Sequence, residues 1–267
     1  MRCWMALWLL IAAPSFAAAP VDAYPDVAAA YWVEIDGQPA WAGQPDRRLP
    51  MASLAKLMTA LVIAEAGGLD EMVTVGPGTA QATGTRLGLR PGERYVAGDL
   101  FTAMLVRSAN DACRALADWK GGDLASFVVR MNARAAELGM KDTRFANACG
   151  HDAPGQASSV RDLAVLARAA IAQPRIALDA RRLRYTLRSQ AGRQFTMNST
   201  NALLEQVPGA IGLKTGYTPG AGRCLIALAQ RDGHEVLVVL LHAPDRWWDS
   251  VALIELAFDE AQRRALR

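Results

Sequence analysis

Apolar positions recur in two different rhythms along this chain, and the change from one to the other divides it. Near the start, "AAYWVEIDGQPAWAG" carries two β-rich runs on either side of Asp36-Gly37. Near the end, "CLIALAQRDGHEVLVVLLHA" repeats the arrangement around Asp232-Gly233. Asp-Gly between such runs predicts a tight hairpin. Residues 224–230 and 235–242 are strongly apolar strand-like runs. Between these ends the spacing becomes helical. Residues 97–120 and 123–139 read as helices, as does "SSVRDLAVLARAAIA", with Ser159 as its N-cap and Asp162 three residues on. A last helical stretch, "DRWWDSVALIELAFDEAQRRAL", carries Arg near its end, where the helix dipole favours a cation. Strands at both ends with helices between predict an α/β (α+β) fold. Both termini build an antiparallel sheet with flanking helices, and an all-helical subdomain is inserted at about residues 67–205.

One helical stretch breaks its own pattern. "PMASLAKLMTALVIAEAG" places Leu54, Leu57, Met58, Leu61 and Val62 at the spacing of a buried helix, yet it begins with Ser53 and carries Lys56 one turn later. The two share a helix face. A serine hydroxyl is a poor nucleophile until a neighbouring base takes its proton. A lysine can be that base if burial or a second cation lowers its proton affinity. A capping Ser followed by a Lys that lays its stem on apolar surface explains the same pair without chemistry.

Composition narrows the field. The chain has 267 residues, 52% hydrophobic and 21% charged, enough to bury a core and not the make-up of a disordered protein. A net charge of +3 with Arg and Lys dispersed along the chain gives no basic–aromatic stripe, so no nucleic-acid partner is expected. "MRCWMALWLLIAAPSFAAAP" has an early Arg2, an apolar run and small residues, the layout of a signal peptide over 1–19 with cleavage near 17–19. An exported, periplasmic or extracellular protein follows, without a membrane anchor once cleaved. Residues 20–267 then form a single domain, with no separable second domain expected at the C-terminus. Three cysteines remain: Cys113, Cys149 and Cys224. Small buried hydrophobes are the plainest reading of all three, and a Cys113–Cys149 bridge stays open. His151, His234 and His242 match no metal-ligand spacing, so neither a metal nor another cofactor is expected.

Two further motifs change the weight of Ser53 and Lys56. "RSANDAC" contains Ser108-Ala109-Asn110 in a polar break after an apolar helix. "IGLKTGYT" contains Lys214-Thr215-Gly216 near the end of a strand. Together with "GTRLGLRPGE", "FVVRMNARAAELGMKDTRFAN", "SSVRDLAVLAR", "STNALLE" and "GLKTGYTPGAGRCLIALAQRDG", the chain resembles the low-molecular-mass penicillin-binding proteins. These are the serine-type D-Ala-D-Ala carboxypeptidases and their DD-endopeptidase relatives. The resemblance runs from about Ala30 to the C-terminus and implies a β-lactamase/DD-peptidase-like fold.

It also implies roles. Ser53 would form an acyl-enzyme with peptidoglycan stem peptides ending in D-Ala-D-Ala, and with β-lactams as covalent inhibitors. Lys56 would take its proton. Ser108 would pass a proton to the leaving amine, and Asn110 would hold Lys56 and the substrate amide. Lys214, Thr215 and Gly216 would receive the substrate carboxylate and backbone. The backbone N–H groups of Ser53 and Tyr217 would form the oxyanion hole. Ala109 stands where the family often has Gly or Asp, and "NACGHD" departs from the usual Asn-Pro-His-Gly-Leu-like block. Three other readings remain. Cleavage of peptide crosslinks is one. A class A β-lactamase would need a deacylating glutamate, and neither Glu137 nor Glu205 begins a Glu-x-x-Leu-Asn loop. A silent periplasmic scaffold is the third.

Overall fold

The structure, a computed structural model, describes residues 20–266. The expected signal peptide therefore lies outside the described residues. β1 (Ala30–Ile35) and β2 (Gln38–Gly43) form the first hairpin, and a 3-10 turn at Ala52–Leu54 leads into α1 (Ala55–Ala66). The inserted region follows with β3 (Met72–Thr74), β4 (Arg94–Val96), α2 (Ala97–Val106), α3 (Asn110–Gly121), α4 (Leu124–Glu137), α5 (Val160–Ile171), α6 (Pro174–Ala180), β5 (Arg184–Arg188), β6 (Gln194–Asn198) and α7 (Leu203–Gln206). The chain then returns to the sheet as β7 (Ala210–Thr218), β8 (Gly222–Arg231) and β9 (His234–Ala243), and closes with α8 (Arg246–Ala265).

The main sheet has the order β2-β1-β9-β8-β7, antiparallel throughout, so both ends of the chain meet at the β1–β9 pairing. Its two Asp-Gly hairpins turn where expected. Asp36 and Gly37 have φ of 50° and 74°, and Asp232 and Gly233 have 52° and 82°, the left-handed pair that a two-residue turn matched to strand twist requires. Alternation along β9 feeds two cores. Val236, Val238 and Leu240 face α8, packed with Leu253, Ile254, Ala257 and Phe258. Leu237, Val239 and Leu241 belong to the larger core built around α1 and α5. α1 is buried from Ala55 through Ile63, so it carries no solvent face over those residues.

The inserted region differs from the expectation in one respect. It is not all helical: β3–β4 and β5–β6 form two separate two-stranded ribbons. In β5 and β6 only Leu187 and Met197 are buried, so these strands present too few apolar positions for a period to stand out. The reading of residues 159–171 stands, and Ser159 accepts a hydrogen bond from the Asp162 N–H as the N-cap of α5.

Candidate active site

Ser53 lies one step earlier than a helix cap would. It sits on the 3-10 turn before α1, and its side chain makes no capping bond. Ala52, just before it, has φ of 48°, a conformation few non-glycine residues adopt. That turn packs against edge strand β7 and is held from the other side by Gly150. A Cβ at Gly150 would lie 1.9 Å from the Ala52 carbonyl oxygen, and its φ of 84° also favours glycine. At Gly216 on β7 a Cβ would come 2.9 Å from the Ala52 Cβ and 3.0 Å from the Ser53 nitrogen, so only a glycine lets the strand approach this closely.

Lys56 does not lay its stem on the surface. It is fully buried, and Nζ donates to Ser53 Oγ at 2.9 Å and to the Cys149 carbonyl at 2.5 Å. Burial, reinforced by the charge of Lys214, pushes its proton affinity well below the ordinary 10.5. Lys214 is itself 1% exposed. Its Nζ donates to Ser108 Oγ and to the Thr215 carbonyl, each at 2.9 Å. Burial, and then Arg246, lower its pKa to about 7. Ser108 occupies the break between α2 and α3 with φ of 60°. Each of two buried lysines thus holds a serine, and both serines, Ser53 and Ser108, line one cleft.

Asn110 lies on the same wall, but its expected contact with Lys56 is not made. Its Nδ2 donates to the Thr83 carbonyl at 2.6 Å, its backbone N–H is taken by Thr85, and Oδ1 is buried with no hydrogen-bond partner. The cation's second acceptor is instead the Cys149 carbonyl, from a loop far along the chain. Thr215 is buried against Thr200, with their hydroxyl oxygens 3.0 Å apart. Tyr217 is exposed at the mouth. The cleft has a volume of about 510 Å³, and Ser53, Thr85, Ser108, Asn110, His151 and Tyr217 are among its walls.

Three participants escape sequence reading. Arg246, at the start of α8, donates to the Gly216 carbonyl at 2.6 Å and backs Lys214 with a second positive charge. Asp152 accepts from Thr218 Oγ1 at 2.6 Å and from the Gly220 N–H at 3.0 Å, tying the end of β7 to the loop opposite. His151, read as isolated, lines the cleft, where burial and then Lys56 lower its proton affinity. The second and third cysteines of the chain do join: Cys113 and Cys149 form a disulfide, and Cys224 is free and buried. Glu137 pairs with Arg134 at the end of α4, and Glu205 lines a separate pocket on α7, so neither is among the cleft residues. Among the described residues no group of three His, Cys, Asp or Glu side chains could hold a metal ion, and no helix is long and apolar enough to cross a membrane.

Residues 17–245 match the family described as D-alanyl-D-alanine carboxypeptidase. The D-alanyl-D-alanine carboxypeptidase DacC of Escherichia coli is 35% identical over 256 residues, covering 89% of this chain and 62% of that protein. A D-alanyl-D-alanine carboxypeptidase of Mycobacterium tuberculosis is 33% identical over 245 residues, covering 88% of this chain and 84% of that protein. Among solved structures, a Streptomyces DD-transpeptidase superposes with a TM-score of 0.82 at 27% identity, covering 87% of this chain and 97% of that one. A crystal structure of a D-alanyl-D-alanine carboxypeptidase from Mycobacterium tuberculosis gives 0.82 at 31% identity, covering 90% and 94%. The chain thus spans about three fifths of the Escherichia coli relative and nearly all of these solved structures.

Proposed function

The chain belongs to the D-alanyl-D-alanine carboxypeptidase family, and we propose that it removes the terminal D-alanine from peptidoglycan stem peptides through an acyl-enzyme on Ser53. The observation that carries this reading is the buried Lys56 held 2.9 Å from Ser53 Oγ with its proton affinity lowered. A neutral Lys56 amine takes the Ser53 proton as Oγ attacks the carbonyl between the two D-alanines. The negative charge that develops on the carbonyl oxygen is met by the N–H groups of Ser53 and Tyr217, a reading supported by the close approach of β7 to the serine turn at Gly216. Lys214, with Thr215, attracts the substrate's terminal carboxylate. Ser108, bonded to Lys214 at 2.9 Å, returns a proton to the leaving amine. Water then cleaves the ester and restores Ser53. The unpartnered Oδ1 of Asn110 offers an acceptor for a substrate amide N–H.

The wall substrate places this activity outside the cytoplasm, and a structural disulfide suits an oxidising compartment. The test uses the protein and its Ser53→Ala variant with pentapeptide muropeptides and crosslinked dimers, followed by chromatography and mass. Loss of one D-alanine from monomers, absent in the variant, is the expected result. Dimers falling to monomers while pentapeptides persist would replace the carboxypeptidase reading with an endopeptidase one. No turnover together with no penicilloyl adduct on Ser53 would leave the scaffold reading.

A further inference from the structure

The Cys113–Cys149 disulfide joins two walls of the cleft. Cys113 lies on the first turn of α3, three residues after Asn110, and Cys149 lies in the loop between α4 and α5. Their Cα atoms are 6.0 Å apart, and both side chains are buried. Cys149 also supplies the backbone carbonyl that accepts from Lys56 Nζ. Its loop is wound around one side-chain oxygen: Asn147 Oδ1 accepts from the N–H groups of Cys149, Gly150 and His151. The next residue, Gly150, is the one pressed against Ala52 in the serine turn. Thr59 of α1 holds the loop one residue earlier, at the Ala148 carbonyl. The bridge therefore completes a chain of contacts from α1, through the loop that touches both Lys56 and the serine turn, to the helix that bears Asn110.

We propose that this disulfide is a positioning element for acylation: it fixes the Cys149 carbonyl against Lys56 Nζ and locks that anchor to the Asn110 wall. The inference rests on the roles given above to Ser53 and Lys56. Without the bridge the loop keeps its sequence, its carbonyl and its hydrogen bonds to Asn147, but loses its tie to α3. Water then reaches the Lys56 amine, more of it is protonated at neutral pH, and the geometry of proton transfer loosens. The titratable groups facing Lys56 are Lys214 from β7 and His151 from the same loop, and both remain.

The experiment compares oxidised wild type with Cys113→Ala, Cys149→Ala and the double variant. Ser53 acylation by a fluorescent penicillin is followed from about pH 5 to about pH 10, alongside melting curves. Each single variant is expected to acylate about 10- to 100-fold more slowly at neutral pH. The double variant should be no slower than either single, because one link is lost in all three. The rising limb of the pH profile should move alkaline by about one unit, a change that a bridge serving stability alone would not produce. A second measurement avoids substitution. A water-soluble phosphine converts the bridge to two thiols and leaves as its oxide with the oxygen of water, and reoxidation should restore the rate. Variants that label within about twofold of wild type with an unmoved profile overturn the proposal. So do additive losses in the double variant, or a reduced protein with two more titratable thiols than the oxidised one and an unchanged rate. A wild type that takes no penicillin overturns the reading of Ser53 as well, whereas normal labelling in wild type and variants alike overturns the bridge's role alone.

Discussion

The two sides of the sheet are built to different rules. Beneath α8, alternate residues of β1, β8 and β9 meet Leu253, Ile254, Ala257 and Phe258 as buried hydrophobic side chains. At the β7 edge, Lys56, Lys214, Ser108, Asn110 and Thr215 are all buried, and Ala52 and Ser108 hold positive φ. Two buried amines whose proton affinity burial lowers, and the buried amide oxygen of Asn110 without a partner, are costs that a stability-driven core would not keep. On the proposed reading the α8 side supplies stability and the β7 side gives up part of it for chemistry, so substitutions on the two sides should move different observables.

The largest separation is expected from Lys56→Met. Acylation of Ser53 should fall about 100- to 10,000-fold, since the proposed base is gone. The melting temperature should rise, because a buried amine is replaced by an apolar chain of similar length. The pH sign follows from the lowered proton affinity of Lys56. Between its folded value and 10.5 the unfolded chain binds the extra proton, so wild-type stability climbs with pH through that window, and the advantage of Met should shrink as pH rises. A variant that is both inactive and less stable would mean the amine is a structural strut. Ile254→Ala should do the reverse. It should cost about 2–5 kcal/mol, read by denaturant titration, with the acylation rate of the folded fraction unchanged. A slower rate there would show that the two sides are coupled through the sheet.

The same division decides what could be read from sequence. The Asp-Gly hairpins, the Ser159 cap and the α8 helix depend on neighbours a few residues away, so their signals are local. Ser53 and Lys56 share one turn, and the motifs at Ser108 and Lys214 were visible through resemblance. What joins them was not. The Cys149 carbonyl is 93 residues from Lys56, and backbone carbonyls leave no mark in a side-chain pattern. The partner of Asn110 is another carbonyl, at Thr83, not the lysine expected. Arg246 opens the last helical stretch, and nothing local in the sequence reveals that it reaches the Gly216 carbonyl. The β5–β6 ribbon was missed because its strands are mostly exposed and polar.

Lys214→Gln tests the second buried amine, with a smaller effect. Lys214 titrates at about 7, so its positive charge, and with it attraction for a substrate or penicillin carboxylate, declines as pH rises through that value. Wild-type acylation should therefore rise as Lys56 becomes neutral and fall again as Lys214 loses its proton. In the variant the falling limb should vanish. The rising limb should move alkaline, because one cause of the lowered Lys56 affinity has been removed while burial remains. The rate near neutral pH should drop about 10- to 100-fold. A falling limb that survives in Lys214→Gln would assign it to another group and remove Lys214 from carboxylate binding.

The smallest effect sharpens the comparison most, because it applies one substitution to two glycines of similar backbone. Gly37, in the β1–β2 turn, has φ of 74° and nothing within 4 Å of where a Cβ would stand. Gly37→Ala should lower stability by about 1 kcal/mol, the cost of holding alanine in the left-handed region, and leave acylation untouched. Gly37→Asn should lose less, since asparagine tolerates that region. Gly150 has φ of 84°, so the backbone cost of alanine is alike, but its added Cβ would meet the Ala52 carbonyl at 1.9 Å. Relief has to come from the turn that carries Ser53 or from the loop that carries the Cys149 carbonyl, and either movement displaces the serine from its base. Gly150→Ala should thus lose acylation on top of the stability change. Equal behaviour of the two variants would mean that the serine turn is compliant, and that its contact with the Cys149 loop is not what holds Ser53 in place.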